Sequence, residues 1–164
     1  MDDLLKGGAP ILVIDDDRIL ADMLVQFLEK IGYEAVAAYG GQEGLDLFGR
    51  KKFRLVITDV QMPEVDGFTV LENVKRRDRD AVVIVMTGRG SIESAVAAIQ
   101  KGAYDYITKP FRLPAIEAVI DRALERYFLF KKLGNFRRLF FFLVTGLPIF
   151  LLVGLCIGFF MFGG

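Results

Sequence analysis

The stretch that most constrains the fold is a short apolar run that ends at an acid. Leu55-Val56-Ile57 is followed directly by Thr58-Asp59, and Met62-Pro63 and Asp66-Gly67 then mark turns. A β-branched apolar run of this kind predicts a strand that is buried on both faces. A carboxylate at its end is costly to bury unless it is solvated or coordinated. Asp59 should therefore stand at the carboxyl end of a core strand, the edge where open parallel sheets bind their ligands.

Five such runs alternate with helical patterns along the chain. The runs occupy residues 11–14, 34–38, 55–59, 81–86 and 104–108. The helical patterns, with apolar residues at intervals of three and four, occupy residues 17–31, 41–50, 68–77, 91–101 and 114–128. Strict alternation of this kind predicts the α/β class, with a parallel sheet, right-handed crossovers and helices on both faces.

Polar residues follow the ends of other runs as well. Asp15-Asp16 follows the first run, Thr87-Gly88 the fourth and Lys109-Pro110 the fifth, with Tyr106 just before it. Carboxylates gathered at neighbouring strand ends repel each other, and a hard divalent cation such as Mg²⁺ or Mn²⁺ relieves that repulsion. Asp17 is better interpreted as a solvated cap of the first helix.

These features, in this order, resemble the receiver domain of response regulators. The resemblance covers residues 9–126 and implies a flavodoxin-like fold with strand order 2-1-3-4-5. It implies that Asp59 accepts a phosphoryl group as an acyl phosphate, with catalytic roles for Lys109 as the cation and Thr87 as a hydroxyl donor. It also implies that the Lys109-Pro110 peptide bond is cis.

The resemblance implies a metal site with a definite set of ligands. Mg²⁺ or Mn²⁺ would be bound through Asp16, Asp59 and the main-chain carbonyl of Gln61, with Asp15 acting mostly through water.

The resemblance further implies a switch. Thr87 moves toward the bound phosphoryl group and Tyr106 swings inward behind it, which alters the face formed by helix four, strand five and helix five. The alternative for Tyr106 is ordinary strand packing. Gln61 and Arg89 lie where family members tune autodephosphorylation by screening water, and two long side chains there favour a slow rate.

The last part of the chain has a different composition. Residues 139–162 contain no charged side chain, and the linker before them, residues 127–138, holds basic residues and no acid: Lys131, Lys132, Arg137 and Arg138. As a helix, residues 139–162 would extend about 36 Å, enough to cross a hydrocarbon core of about 30 Å. The basic linker predicts a single-pass span in the inner (cytoplasmic) membrane with the receiver facing the cytoplasm. A buried core helix or a self-association segment is the alternative.

Composition restricts the partners. The chain has no histidine, so the phosphodonor should be a sensor histidine kinase or phosphotransfer protein acting in trans, and its one cysteine excludes an intrachain disulfide framework. A homodimer could form through the helix four–strand five–helix five face or through Gly154 and Gly158, a small-xxx-small pattern. No helix-turn-helix pattern follows residue 126, so no nucleic-acid partner and no separate effector domain are expected.

The sequence thus predicts a membrane-tethered phosphoreceiver that is no enzyme beyond its own phosphorylation and dephosphorylation. A phosphorylation-modulated docking module, or a phosphate sink without its own output, remains an alternative. A phosphatase of the haloacid-dehalogenase type would need a second acid two residues after the nucleophile, and Gln61 occupies that position.

Overall fold

The structure is a computed structural model, and it describes residues 10–128. Strands and helices alternate through this region. The strands are β1 (Ile11–Ile14), β2 (Ala35–Ala38), β3 (Leu55–Asp59), β4 (Val82–Thr87) and β5 (Asp105–Thr108). The helices are α1 (Arg18–Lys30), α2 (Gly41–Arg50), α3 (Gly67–Arg77), α4 (Ile92–Gln100) and α5 (residues 113–128). The predicted alternation is confirmed, although β2, β4 and β5 each begin one residue later than predicted. Strand β4 also includes Thr87, which pairs with Thr108 of β5.

The five strands form one parallel sheet in the order β2-β1-β3-β4-β5. This is the predicted flavodoxin-like order. Ile14 pairs with Thr58, Asp59 with Met86, and Thr87 with Thr108. The register therefore brings the carboxyl ends of β1, β3, β4 and β5 to one edge of the sheet.

Apolar packing covers both faces of the sheet. Every residue of β1, β3 and β4 is buried. One face packs on a core cluster that includes Leu45 of α2, Leu71 and Val74 of α3 and Ala98 of α4. Because strand side chains alternate, Ile11 and Val13 point to the other face. The helices that remain for that face are α1 and α5, which bury the following residues: Ala21, Leu24, Leu28, Ile116, Ile120, Ala123 and Leu124.

An N-cap residue and two glycines mark helix ends in the structure. Asp17 caps α1 as predicted, since its carboxylate accepts from the N–H groups of Ile19 and Leu20. Gly32 and Gly102 follow the ends of α1 and α4, each with φ of 95°, a conformation that favours glycine.

Several apolar side chains at helical spacing remain exposed. Ile19 of α1 is 84% exposed and Ile92 of α4 is 81% exposed, while Val96 and Ile99 are about half exposed. In α4 the residue that packs into the core is Ala98. The apolar pattern of α4 therefore marks an outward face as well as a buried one.

The predicted membrane span at residues 139–162, its basic linker and the Gly154/Gly158 pattern lie outside the described residues. Within residues 10–128, no helix is both long and apolar enough to span a bilayer.

Candidate functional site

The carboxyl end of β1 supplies two carboxylates to the sheet edge. Asp15 is 1% exposed, whereas Asp16 is exposed. The Asp15 Oδ1 accepts a hydrogen bond from the Asp17 N–H at 3.0 Å, and its Oδ2 accepts one from the Lys109 ammonium at 2.7 Å. Burial raises the pKa of Asp15, although the Lys109 hydrogen bond and charge oppose that rise.

Asp59 ends β3, as predicted, and is 3% exposed. Its Oδ2 accepts from the Gln61 N–H at 2.8 Å, and its Oδ1 lies 2.7 Å from the Lys109 ammonium nitrogen. The Oδ1 contact is an ion pair without the alignment of a hydrogen bond. A buried, charged oxygen thus faces the site with one cation beside it.

Lys109 joins the two acids. It follows β5, its N–H donates to the Thr87 carbonyl at 2.7 Å, and its peptide bond to Pro110 is cis, as the resemblance implied. Burial alone would lower the pKa of Lys109, but the hydrogen bonds and charges of Asp15 and Asp59 outweigh it, so the pKa is raised. The side chain is therefore a fixed cation between two buried carboxylates.

Thr87 and Tyr106 occupy neighbouring strands. Thr87 is 1% exposed at the end of β4, and its hydroxyl oxygen accepts from the Arg89 N–H at 3.2 Å. Tyr106 is half-buried, and its hydroxyl oxygen lies 2.6 Å from the Ser94 Oγ of α4 in a hydrogen bond. The side chains of Gln61 and Arg89 are exposed at the rim.

The acidic cluster has the chemistry of a divalent cation site. Asp15, Asp16 and Asp59 each offer a carboxylate oxygen, and these atoms lie within 4.8 Å of one another. Lys109 is the only cation shown to pair with them among residues 10–128. Three carboxylates thus face one ammonium group. Oxygen ligands that carry more negative charge than their neighbours neutralise fit Mg²⁺ or Mn²⁺. The Asp59 Oδ1, which accepts no aligned hydrogen bond, supports that fit.

Two residues of this site were missed by sequence reasoning. Ser94 forms a capping box with Ser91 and also reaches Tyr106, a pairing that depends on how α4 lies over β5. Gly67 begins α3 so close to the main chain of Asp59 that a Cβ there would lie 2.0 Å from the Asp59 carbonyl oxygen. The Asp66-Gly67 turn was recognised, but no local signal shows what the glycine touches.

Comparison with known proteins agrees with this geometry. The response regulator receiver domain family matches residues 11–121. The transcriptional regulatory protein GlrR of Escherichia coli is 40% identical over 118 residues, which is 72% of this chain and 27% of that protein. The DNA-binding transcriptional regulator NtrC of Klebsiella pneumoniae is 34% identical over 115 residues, which is 70% of this chain and 24% of that protein.

Solved structures give the same result for the fold. The crystal structure of a response regulator receiver domain protein from Clostridium thermocellum has a TM-score of 0.71 and 33% identity, and the similarity covers 75% of this chain and 99% of that one. This chain spans about a quarter of the curated relatives named above, so the likeness concerns one domain of those proteins. The family match, the sheet order and the Asp15–Lys109–Asp59 cluster agree, and the chain belongs to the response regulator receiver domain family.

Proposed function

We propose that this protein accepts a phosphoryl group on Asp59 from a sensor histidine kinase or phosphotransfer protein acting in trans. Receiver domains accept phosphoryl groups from histidine kinases, which indicates the class of donor. The observation that carries the proposal is the Lys109 ammonium, which lies 2.7 Å from both the Asp15 Oδ2 and the Asp59 Oδ1. A cation held there can neutralise the charge that a phosphoryl group brings.

Asp59 is the nucleophile in this proposal. One carboxylate oxygen bonds to phosphorus while the bond between phosphorus and the donor nitrogen breaks, which yields an acyl phosphate. The Gln61 N–H holds the Oδ2 at 2.8 Å, and the Oδ1 lies 2.7 Å from the Lys109 ammonium nitrogen, so both oxygens are positioned at the site. The protein contributes position and charge, and its own residue is the group that becomes modified.

A divalent cation would be held at the same edge by the carboxylates of Asp16 and Asp59, with Asp15 acting mostly through water. The family resemblance adds the main-chain carbonyl of Gln61 as a ligand. When bound, Mg²⁺ or Mn²⁺ supplies charge neutralisation for the phosphoryl oxygens.

The response to phosphorylation passes through Thr87 and Tyr106. The Thr87 hydroxyl oxygen accepts from the Arg89 N–H, so its own hydrogen is left to donate to a phosphoryl oxygen. Inward rotation of Tyr106 breaks its hydrogen bond to Ser94, a cost of about 1 kcal/mol that the new phosphoryl contacts must outweigh. The outward face of α4, with Ile92, Val96 and Ile99 exposed, supports a partner-binding or homodimer surface beside this switch.

A labelling experiment tests the nucleophile. The protein is incubated with acetyl phosphate and Mg²⁺, and the acyl phosphate is trapped chemically. Asp59→Asn should abolish the label, and Asp46→Asn, an exposed carboxylate on α2, should retain it as the matched control. Label that persists in Asp59→Asn would refute the assignment, and full labelling in excess chelator would refute the metal requirement.

We also propose that residues 139–162 tether the receiver to the inner (cytoplasmic) membrane by a single span, with residues 10–128 in the cytoplasm. The support is the uncharged sequence and the basic residues before it. Alkaline carbonate should leave the full chain in the membrane pellet, while a chain ending at Lys132 should be released. Release of the full chain by carbonate would reject an integral span, and digestion of the receiver in intact spheroplasts would reject the orientation.

The output is either partner docking at the membrane or regulation of transcription. GlrR and NtrC are transcriptional regulators by name, and these relatives speak against the expectation that the protein has no nucleic-acid partner. Without such an output, the protein would be a docking module or a phosphate sink. Proteins captured by the wild type and by Asp59→Asn should differ if phosphorylation selects the partner. Recovery of DNA-binding proteins would favour the transcriptional output.

A further inference from the structure

The edge of the sheet opposite the carboxylates is rich in basic side chains. In a parallel α/β fold each helix runs back from the carboxyl edge, so the helix ends and the loops after them gather at the amino edge. The ends of α2 and α3 place six exposed basic residues there, which we term the basic edge: Arg50, Lys51, Lys52, Arg76, Arg77 and Arg79.

The two halves of the basic edge are in contact. The Arg77 Nη1 donates to the Leu45 carbonyl of α2 at 2.9 Å, and a Cβ on Gly49 would lie 3.1 Å from that nitrogen. The end of α3 therefore packs on the last turns of α2, which makes the six residues one continuous surface.

The same surface extends to the end of α5. Lys75 of α3 donates to the Ala81 carbonyl at 2.6 Å, and its pKa is lowered by burial and then by the charge of Arg126. The Arg126 guanidinium lies 5.4 Å from the Tyr104 ring centroid. The basic edge thus reaches the point where the described part of α5 ends. Two acids, Asp78 and Asp80, interrupt it without reversing its net positive charge.

The helix dipole explains only part of this distribution. Basic residues in the last turn of a helix are stabilised by the partial negative charge there, and Arg50, Arg76 and Arg77 fit that explanation. Lys52 and Arg79 lie beyond the helix ends, where the dipole effect has faded. Among residues 10–128, no ion pair or side-chain hydrogen bond is seen for these two side chains, and both are exposed.

We propose that the basic edge binds the anionic headgroups of a bilayer surface. The inference rests on the proposed membrane tether and deepens it. Helix α5 runs toward this edge, and the sequence then continues with Lys131, Lys132, Arg137, Arg138 and the uncharged residues 139–162. The sequence after residue 128 is therefore basic and then uncharged, and it follows the helix that runs toward the basic edge. An anionic lipid surface is the partner that suits both.

Docking in this way fixes the direction in which the phosphorylation site points. Asp59 lies at the carboxyl end of β3, and a five-residue strand is about 17 Å long, so the site is held away from the lipid. The kinase could then approach the carboxyl edge without meeting the membrane.

The test uses the full chain and sealed vesicles of two compositions, phosphatidylcholine alone and phosphatidylcholine with phosphatidylglycerol. A membrane-impermeant amine reagent labels Lys51 and Lys52, and mass spectrometry measures the extent. Labelling should fall several-fold in the anionic vesicles and recover at high salt, because exposed charges are screened there. Removing one basic residue near an anionic surface should weaken docking about fivefold.

Matched variants distinguish binding by the basic edge from a general effect of positive charge on the protein. Arg50→Gln with Arg79→Gln should restore labelling of Lys51 and Lys52 in anionic vesicles. Arg18→Gln with Arg112→Gln removes two exposed basic residues from the opposite edge and should leave the protection unchanged.

The outcomes distinguish this inference from the tether. A chain that stays with both kinds of vesicle but labels equally in each overturns the basic-edge proposal and leaves the tether standing. A chain that binds only anionic vesicles, reversibly with salt, supports the basic edge and rejects the tether, and a chain that binds neither rejects both. Protection of Lys51 and Lys52 by duplex DNA, without protection by anionic vesicles, would overturn the lipid assignment in favour of a nucleic-acid surface.

Discussion

Replacing Gly67 with alanine should disturb Asp59, the proposed phosphoacceptor, through its main chain. Gly67 is the first residue of α3, and its N–H donates to the Val60 carbonyl at 3.1 Å. A Cβ at this position would lie 2.0 Å from the Asp59 carbonyl oxygen and 2.9 Å from the Val60 Cα. These are backbone atoms, which cannot rotate away as the end of a flexible side chain can.

The size of the effect follows from these distances. Carbon and carbonyl oxygen ordinarily approach no closer than about 3.3 Å, so the loop or the end of β3 must move by more than about 1 Å. Overpacking of this kind costs about 1–3 kcal/mol. A displacement of about 1 Å at a reacting group can lower the rate of its reaction about a hundredfold. Gly67→Ala should therefore lose stability and, more severely, lose phosphorylation at Asp59.

Urea unfolding followed by tyrosine fluorescence measures the first effect, and the rate of labelling by acetyl phosphate measures the second. Gly40→Ala is the matched control, because a Cβ there has nothing within 4 Å and its φ of 166° is extended backbone that any residue adopts. Because Gly40 is the N-cap of α2 and alanine caps less well, the stability of this variant should fall by at most about 1 kcal/mol, and its labelling rate should stay that of the wild type. If Gly67→Ala unfolded and became labelled like the wild type, the steric argument would be wrong.

Three further changes test other parts of the structure. Burial raises the pKa of Asp15 above its ordinary value of 3.8, so the folded state loses stability as pH rises from 3.8 through the raised pKa. In metal-free buffer Asp15→Asn should therefore be more stable than the wild type at pH 7, with the difference shrinking as pH falls from the raised pKa toward 3.8. An equal difference at every pH in urea titrations would contradict this. Tyr33→Phe removes a 2.7 Å hydrogen bond to Asp121 and should lower the free energy of unfolding by about 1–2 kcal/mol, which an unchanged urea midpoint would refute. Ser94→Ala removes both the capping box and the hydrogen bond to the Tyr106 hydroxyl, so amide hydrogen exchange in the first turn of α4 should accelerate. Unchanged exchange would show that these hydrogen bonds do not stabilise the start of α4.

Local sequence patterns correctly predicted the strand, turn and helix-end features that depend on neighbouring residues. The β-branched run Leu55-Val56-Ile57 predicted a strand buried on both faces, and every residue of Leu55–Asp59 is buried. The turn at Asp66-Gly67 was likewise predicted from residues that favour it, and the helical patterns predicted to end at residues 31 and 101 are followed by Gly32 and Gly102 at positive φ. Such features depend on a few neighbouring residues, so the sequence contains them directly.

Helical periodicity predicted that α1 and α4 exist, but it could not tell which apolar residues would be buried. Ile19 and Ile92 are more than 80% exposed, while Ala98 packs in the core. An apolar stripe shows where a helix can bury surface, and the width of the neighbouring sheet decides how much of the stripe is covered. Helix α4 lies beside β5, the edge strand, and the sheet there covers only part of its apolar stripe.

By itself, the sequence determined the alternation of strands and helices and the acids at the ends of β1 and β3. The family resemblance added the roles that we propose for Lys109, Thr87 and Tyr106. Tertiary structure decided the contacts made across long separations. Lys109 meets Asp15 from 94 residues away, Tyr33 meets Asp121 from 88, and Arg54 is buried with its guanidinium 5.2 Å from the Tyr33 ring centroid. The physical reason is that hydrogen bonds and ion pairs act over a few ångströms, so which groups pair depends on the sheet order and helix placement that bring distant residues together.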